Sequence, residues 1–392
     1  MKMRSPITDA ELQRRWKAVA TAMEADGIDA LVMQNTSDWV GGYVRWFSDI
    51  PAGNGYPRTL VFYRDQPMSI IEMGPFDTVR DLGGTDEIHR GVGRMIHTPS
   101  FTSIGYTNRY DAEMLVKEFQ TTKPAKIGWL TPDTLPYSLV DAVQKMSDGP
   151  QQVDATDLVD TIKAIKSPEE IELIIQTADL QDKVFAEVCD FLRPGVQDID
   201  VANHAQAVAH RLGSDQGIFL GTSSPLGRSS RFASRPLQAR TIEKGDHFSL
   251  LIEINGPGGV YLEIARTMVL GTPSDHLLLS FEQMKKAQDY TLSLMKPGAS
   301  PAEIAAAHDA WMIDHDLPPE TRLYAHGQGV DMVERPMIRK DETMPLAANM
   351  CFAVHPGFDD GEVFAVICDN YMIEEGGVGA CLHKTDKKIF EL

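Results

Sequence analysis

The sequence predicts an α/β (α+β) fold in two domains, residues 1–160 and residues 161–392. Its 392 residues are enough for more than one hydrophobic core. Apolar residues recur at helical and at strand spacing, in alternation, along both halves of the chain. A boundary falls near residue 160, and a helix-start signal follows at Ser167. We therefore expect a mixed sheet covered by helices in the first domain, and a second domain that begins with a long helix.

The elements of the first domain follow its apolar pattern. Apolar residues from Leu12 to Met23 recur at helical spacing, and Gly27 is placed to end that helix. The four residues from Arg64 to Pro67 separate two apolar runs, 59–63 and 68–73, which predicts a hairpin. The remaining predicted elements are strands over 30–35 and 125–130 and a helix over 138–146.

The second domain begins with a capping box. Ser167 is an N-cap residue, Pro168 occupies the first helical position, and Glu170 lies three residues after the cap. The helix that follows is predicted to bury one side, formed by Ile171, Ile174, Ile175 and Ala178. Beyond it the pattern predicts helices over 199–212, 277–295 and 301–315, and strands over 248–255, 260–271, 350–358 and 363–375.

Composition narrows the class of protein. The net charge of −19, from 56 acidic and 37 basic residues, disfavours nucleic acid and anionic membranes as partners. The chain has no apolar run of about 18 residues, and its N-terminus lacks the apolar core of a signal peptide. The four cysteines have no paired metal-ligand spacing, so we expect reduced thiols in a cytoplasmic protein. They are Cys189, Cys351, Cys368 and Cys381.

Three stretches of the second half carry a family pattern. They are KGDHFSLLIEINGPGGVYLEIARTMVLG (244–271), AHGQGVDMVERP (325–336), and NMCFAVHPGF (349–358) together with VICDNYMI (366–373). In this order they resemble the creatinase, aminopeptidase P and methionine aminopeptidase superfamily, peptidase family M24. IKSPEEIE (165–172) resembles the start of its catalytic domain. The resemblance implies a creatinase-like N-terminal domain followed by a pita-bread catalytic domain.

The resemblance also implies five metal-ligand positions. The peptidases of this superfamily bind two metal ions through two aspartates, one histidine and two glutamates. The aspartates fall at or beside Glu253 and on Glu263, the histidine is kept as His326, and the glutamates fall on His355 and Cys368. Imidazole and thiol in place of carboxylates remove two negative charges and the capacity to bridge two cations. We therefore expect neither a dinuclear site nor any metal cofactor.

These positions suggest a metal-independent hydrolase that, like creatinase, cleaves a C–N bond in a small anionic substrate. His326 and His355 are the acid/base candidates, because an imidazole with a near-neutral pKa can move a proton to a leaving nitrogen. His355 follows the apolar run 351–354 at a Pro-Gly turn, where its side chain can face a cavity. Glu263 is the candidate base or orienting carboxylate, with Glu253 as a second choice.

Seven further residues are candidates for substrate binding: Tyr56, Arg58, Arg231, Ser234, Arg335, Cys368 and Asp369. The stretch 38–60 interleaves aromatic residues with arginines, and a guanidinium fork matches a carboxylate bidentately. In creatinase-like dimers the corresponding segment reaches into the partner's active site. The resemblance thus implies a homodimer with shared active sites, in which Tyr56 and Arg58 bind the substrate carboxylate.

Alternatives remain at this point. A mononuclear metal site on Glu263, His326 and His355 would make the chain an Xaa-Pro-type peptidase, since one carboxylate and two imidazoles suit zinc or iron. A substrate histidine of the family falls on Val333, which argues against proline peptides. The other two alternatives are a lyase that acts on a carboxylate by base-promoted elimination and a non-catalytic binding protein. Glu263 could also form a buried ion pair with Arg266.

Overall fold

A computed structural model describes residues 3–4, 6–35, 42–53 and 55–392 of the chain. Its contacts divide the chain into two units, Met1–Lys163 and Ala164–Leu392. Among the described helices, none combines the length and the apolar character of a bilayer-spanning segment. Both units mix helices and strands, as the sequence predicts.

The first unit is built on one mixed sheet. Its strands are β1 (Ala30–Asn35), β2 (Arg58–Tyr63), β3 (Met68–Met73), β4 (Val79–Asp81), β5 (Val92–Thr98), β6 (Lys126–Trp129) and β7 (Gln151–Asp154). They lie in the order β4-β5-β3-β2-β1-β6-β7. Its helices are α1 (Asp9–Asp26), α2 (Gly42–Ser48), α3 (Asn108–Thr122), α4 (Tyr137–Gln144) and α5 (Thr156–Ala164). One face of the sheet packs on α3 and α4 through a buried apolar cluster.

Local signals in this unit are confirmed. β2 and β3 form the predicted hairpin around residues 64–67. Gly27 ends α1 with φ 65°, in the left-handed region that favours glycine. The strands β4, β5 and β7 were not predicted from the sequence. β4 is three exposed residues long and β7 only four residues long, and segments this short leave little periodic signal.

The second unit contains two larger sheets. Its strands are β8 (Gly217–Pro225), β9 (Asp246–Asn255), β10 (Tyr261–Val269), β11 (Ala325–Gly327), β12 (Glu334–Met337), β13 (Cys351–Val354), β14 (Gly357–Asp359), β15 (Phe364–Val366), β16 (Asp369–Glu374), β17 (Gly377–Cys381) and β18 (Phe390–Glu391). One sheet has the order β18-β10-β9-β8 and the other the order β12-β11-β13-β16-β17, while β14 pairs with β15. The helices are α6 (Pro168–Phe191), α7 (Asp198–Leu212), α8 (Asp275–Leu294) and α9 (Pro301–Asp314).

The predicted capping box begins α6. The Ser167 hydroxyl accepts a hydrogen bond from the Glu170 amide, and the Glu170 carboxylate accepts one from the Ser167 amide. Ile174 and Ala178 are buried as predicted. Ile175 is 47% exposed, so its predicted burial is wrong. One residue on a helix is a turn of 100°, which carries Ile175 away from the face on which Ile174 lies.

Two backbone hydrogen bonds join the two sheets. The Ala265 amide donates to the Cys368 carbonyl at 3.3 Å, and the Cys368 amide donates to the Ala265 carbonyl at 3.4 Å. The strand predicted over 363–375 is therefore divided here, since β15 ends at Val366 and β16 begins at Asp369. We call this contact the sheet joint.

A buried ion pair lies beside the sheet joint. Arg266 Nη2 donates to Asp369 Oδ1 at 2.6 Å, and both side chains are fully buried. Arg266 also donates to the carbonyls of Cys368, Thr385 and Asp386. The base that the sequence offered as a partner for Glu263 is thus bound to Asp369 instead.

We predict that Arg266→Met destabilises the protein by about 3–5 kcal/mol, because it leaves a buried carboxylate without its main counter-charge. Urea unfolding would measure the free energy. The double variant Arg266→Met, Asp369→Leu is the control, since replacing both partners with apolar groups removes the uncompensated charge. We expect it to be clearly more stable than the single variant. A double variant as unstable as the single one would contradict this account.

Candidate functional site

Three side chains from three segments meet in the second unit. Glu263 lies on β10, His326 lies on β11, and His355 follows the end of β13 directly. Glu263 Oε1 is 3.3 Å from His326 Nε2 and 3.3 Å from His355 Nε2. One ligand atom from each residue lies within 4.8 Å of the other two. We call this group the Glu263 triad.

The backbone decides how His326 presents its ring. His326 Nδ1 lies 2.9 Å from the Gly327 carbonyl oxygen. A carbonyl only accepts, so Nδ1 carries the hydrogen, and a neutral ring then presents the lone pair of Nε2 to Glu263. Two acceptors 3.3 Å apart require a proton or a cation between them. A ring held in this way is the usual second-sphere arrangement of a histidine that binds a metal.

One side-chain atom of each of the other two members has no hydrogen-bond partner among the described residues. Glu263 Oε1 and His355 Nε2 are both buried and unpaired. Buried polar atoms are normally satisfied, so two buried atoms 3.3 Å apart without a hydrogen-bond partner suit a site that binds a further group. One carboxylate and two imidazoles form a donor set suited to a single zinc or iron ion. The residues present therefore fit a metal ion.

The charges within the triad agree with this donor set. Burial acts to raise the pKa of Glu263, but the imidazoles of His355 and His326 outweigh burial and lower that pKa to about 2. Burial lowers the pKa of His355 to about 4, so its ring is neutral at pH 7. Burial also acts to lower the pKa of His326, but the Glu263 carboxylate outweighs it and raises the value. The triad thus offers an anionic carboxylate and a neutral imidazole.

Glu253 lies next to the triad. It is paired directly with Glu263 across β9 and β10, so the two side chains share one face of the sheet. Its Oε1 accepts a hydrogen bond from Gln328 Nε2 at 3.0 Å. Burial and the neighbouring Glu263 carboxylate raise the pKa of Glu253 well above its usual range. The pKa of Glu253 is thus shifted in the opposite direction to that of Glu263.

Two of the predicted substrate-binding residues are buried at the sheet joint. The Cys368 thiol donates to the Glu263 carbonyl at 3.6 Å, and burial raises its pKa well above the usual range. Burial acts to raise the pKa of Asp369, but Arg266 and His383 outweigh it and lower the value to about 2. Both residues contact β10, Cys368 at Glu263 and Asp369 at Arg266. Their contact with a substrate stays a prediction.

The predicted anion-binding residues are already engaged by acids or lie at the surface. Arg231 is exposed and pairs with Asp359, and Arg335 pairs with Glu342 at 2.6 Å. Ser234 is exposed and precedes a short 3₁₀ turn. In the first unit, Arg58 donates to Glu72 at 2.6 Å and to the Pro51 carbonyl, and Tyr56 packs on Phe101. Residues 38–41 and 54 of the aromatic stretch, including Trp39, lie outside the described residues.

Two residues of the site were missed from the sequence, Gln328 and Asn370. Asn370 Oδ1 accepts from the Glu263 amide at 2.9 Å, and Asn370 Nδ2 donates to Gln328 Oε1 at 2.7 Å. A signal existed, because each lies two residues after a predicted site residue, His326 or Cys368. Positions two apart on a strand point to the same face.

Comparisons with known proteins identify the family and the fold. Residues 172–375 match the model described as Metallopeptidase family M24. The uncharacterized peptidase YqhT of Bacillus subtilis is 25% identical over 270 residues, 66% of this chain and 73% of that protein. The Xaa-Pro dipeptidase of Pyrococcus furiosus is 24% identical over 259 residues, 65% of this chain and 73% of that protein. The X-Pro aminopeptidase structure from Thermotoga maritima has a TM-score of 0.79 at 18% identity, over 96% of this chain and 99% of that one. This likeness confirms the predicted fold, an α/β domain followed by a pita-bread domain.

The lowered pKa of Asp369 predicts acid sensitivity. Its folded pKa of about 2 lies below the unfolded value of about 4, so its contribution to stability is present above pH ~4 and is lost as pH falls towards 2. The groups that face it are Arg266, His383, Gln288 and Lys387. Urea unfolding between pH 2.5 and pH 6 should show the wild type losing its advantage over Asp369→Asn as pH falls. Parallel curves for the two proteins would rule this out.

Proposed function

Because this chain belongs to metallopeptidase family M24, we propose that it is a metal-dependent peptidase of the Xaa-Pro type. The observation that carries the proposal is the convergence of Glu263, His326 and His355 on one buried point. Two of their ligand atoms have no other partner among the described residues, and the third is aimed by a backbone hydrogen bond. The Xaa-Pro dipeptidase and X-Pro aminopeptidase relatives support the substrate class.

This proposal replaces the sequence-based expectation of a metal-independent, creatinase-like hydrolase, which is wrong. The matched family model is one of metallopeptidases. The three residues that the sequence suggested for acid/base work lie within 4.8 Å of one another, which supports their use as a ligand set. The broader prediction, that the chain is a hydrolase, is confirmed by family membership.

The metal ion would be held by Glu263 Oε1, His326 Nε2 and His355 Nε2. When bound, such an ion polarises a carbonyl group and lowers the pKa of water to near neutrality. The protein's own contribution is orientation. Gly327 fixes the His326 ring, Asn370 fixes the backbone at Glu263, and burial keeps His355 neutral and ready to bind.

The substrate proposed here is small and anionic, because a dipeptide that ends in proline carries a free carboxylate. Arg58, Arg231 and Arg335 remain the candidate partners for that group. Each is already paired with an acid of this chain, Glu72, Asp359 and Glu342 respectively. A substrate carboxylate would have to compete with these acids, so the arginine with the most easily displaced partner is the best candidate. Arg231 is that residue, since its side chain is 68% exposed and surface ion pairs are weak.

The homodimer with shared active sites also stays a proposal. Its support is the resemblance to creatinase-like dimers and the recognition-type residues of the stretch 38–60. Within the first unit, Arg58 lies on β2 with its guanidinium held by Glu72 and the Pro51 carbonyl. A substrate carboxylate would have to displace Glu72 from Arg58, as it would have to displace Asp359 from Arg231.

We predict that removal of metal abolishes hydrolysis of Xaa-Pro dipeptides and that a divalent ion restores it. Glu263→Ala, His326→Ala and His355→Ala should each lower kcat/KM by roughly 10² or more, since changes to outer-shell partners alone reach that scale. His210→Ala is the matched control, because His210 is exposed. A dipeptide ending in alanine tests the proline preference, which Val333 puts in question. Full activity after metal removal verified by elemental analysis would contradict the proposal.

Complementation tests the shared site. An inactive Arg58→Ala chain mixed with an inactive His326→Ala chain should regain about a quarter of wild-type activity under random exchange, because one of the two sites in each mixed dimer is intact. A mixture of His326→Ala with Glu263→Ala is the control, and it should stay inactive since both changes lie in the same unit. If exchange is verified and the first mixture stays inactive, Arg58 lies outside a shared site.

A further inference from the structure

Four polar residues lie side by side across the sheet of the first unit, on four neighbouring strands. Asn35 of β1 is paired with Arg58 of β2, Arg58 with Glu72 of β3, and Glu72 with His97 of β5. Directly paired residues point to the same face of a sheet, so the four side chains form one row. Ile71, next to Glu72, belongs to the apolar cluster under α3 and α4, so the row lies on the other face. We call these four residues the polar row.

The two ends of the polar row are unsatisfied. Both polar side-chain atoms of Asn35 and both ring nitrogens of His97 are buried without a hydrogen-bond partner among the described residues. Asn35 is 8% exposed and His97 is 5% exposed. Buried polar atoms normally have a partner, because an unpaired one costs the free energy of its lost hydration. These atoms therefore suit a site that binds a further polar group.

The backbone next to the polar row leaves room for the His97 ring. A Cβ atom at Gly74 would lie 2.2 Å from His97 Nδ1, so a larger residue there would displace the ring. The position of this unpaired imidazole thus depends on a glycine in the segment that follows β3.

An ion pair forms the centre of the polar row. Arg58 Nε lies 2.6 Å from Glu72 Oε2, and each side chain is 16% exposed. Asn35 is next to the guanidinium and can add an amide donor, while a neutral His97 ring next to the carboxylate can add an acceptor. The row therefore has one half that suits an anion and one half that suits a cation.

Charge balance restricts which ligand can enter the polar row. An anion that displaced Glu72 from Arg58 would leave a largely buried carboxylate without its counter-charge, and a cation on Glu72 would leave Arg58 in the same state. A ligand that carries both a carboxylate and an ammonium group avoids this cost, because it replaces one ion pair with two. Its carboxylate can also accept two hydrogen bonds from the guanidinium.

We infer that the polar row is a binding site for a small zwitterion, a free amino acid or a short peptide. Its carboxylate binds Arg58 and Asn35, and its ammonium group binds Glu72 and His97. This site goes beyond the proposed peptidase activity. It lies within the first unit and shares no residue with the Glu263 triad, which belongs to the second unit.

Calorimetric titration of the full-length Glu263→Ala chain tests the inference, since this variant should not hydrolyse a peptide probe. The zwitterionic probes are glycine and glycylglycine, and the tighter of the two identifies the source as a free amino acid or a peptide. Acetate and methylamine are the matched controls, because each carries only one of the two charges. We expect the tighter zwitterion to bind at least about tenfold more tightly than either control, because each control leaves one partner of the ion pair uncompensated.

Variants at the two ends of the polar row test its residues. Asn35→Leu and His97→Leu should each weaken zwitterion binding about tenfold or more, since each removes a hydrogen bond to a charged group. Without ligand, neither should lower the thermal unfolding midpoint, because each removes unsatisfied buried polar atoms. Gly74→Ala should weaken binding by displacing the His97 ring, and it tests that ring if His97→Leu does not fold.

Gln34→Leu is the matched control for Asn35→Leu. Gln34 points to the opposite face of β1, where its Nε2 donates to Thr59 Oγ1 at 2.8 Å. We therefore expect the reverse result, a lower unfolding midpoint with zwitterion affinity within about threefold of the parent chain.

Three results would overturn the inference: no binding of either zwitterion, acetate binding as tight as that of the zwitterions, or unchanged affinity in both Asn35→Leu and His97→Leu. None of them bears on the metal site, because the titrations use a chain without Glu263. A wild type that fails to bind metal would instead defeat the proposed function and leave the polar row unaffected.

Discussion

The arrangement of the site depends on how β10 is held against β16. The backbone bonds of the sheet joint fix Ala265 opposite Cys368, and the buried pair of Arg266 and Asp369 closes the same contact. Because side chains alternate along a strand, Arg266 leaves β10 on the face opposite to Glu263. Arg266 is therefore paired with Asp369 and not with Glu263. Glu263 is left with two imidazoles as its nearest partners, which is what makes its carboxylate available to a cation.

The buried Glu263 carboxylate has an energetic cost. Burying a carboxylate without a full counter-charge costs several kcal/mol even after the protein relaxes. Here the unfavourable charge is tolerated because the surrounding framework is satisfied independently of it. His326 is anchored to its own strand by Gly327, and the backbone at Glu263 is anchored by Asn370. The His326 ring and the Glu263 backbone are thus held in place without the proposed cation, which would leave less ordering to be done on its binding.

Much of the fold could be predicted because its signals are local. The capping box at Ser167, the glycine that ends α1 and the hairpin at 64–67 each involve residues that are neighbours in sequence. The division of the strand at Cys368 could not be predicted, because its cause is a bond to Ala265, about a hundred residues away. The suggested pair of Glu263 with Arg266 could have been excluded. Residues three apart on a strand point to opposite faces.

The order of the motifs in the sequence was enough to locate the site. The expectation of a metal-independent site was wrong, because it weighed the loss of negative charge and not the ligand atoms that remain. Histidine in place of a carboxylate at position 355 removes a negative charge and the capacity to bridge two ions, yet it keeps a nitrogen that binds one ion well. The loss therefore argues against a pair of metals and leaves a single metal untouched. One carboxylate and two neutral imidazoles around a divalent ion would retain a net positive charge. That charge would favour a small anionic substrate, so the change of ligands and the substrate class point in the same direction.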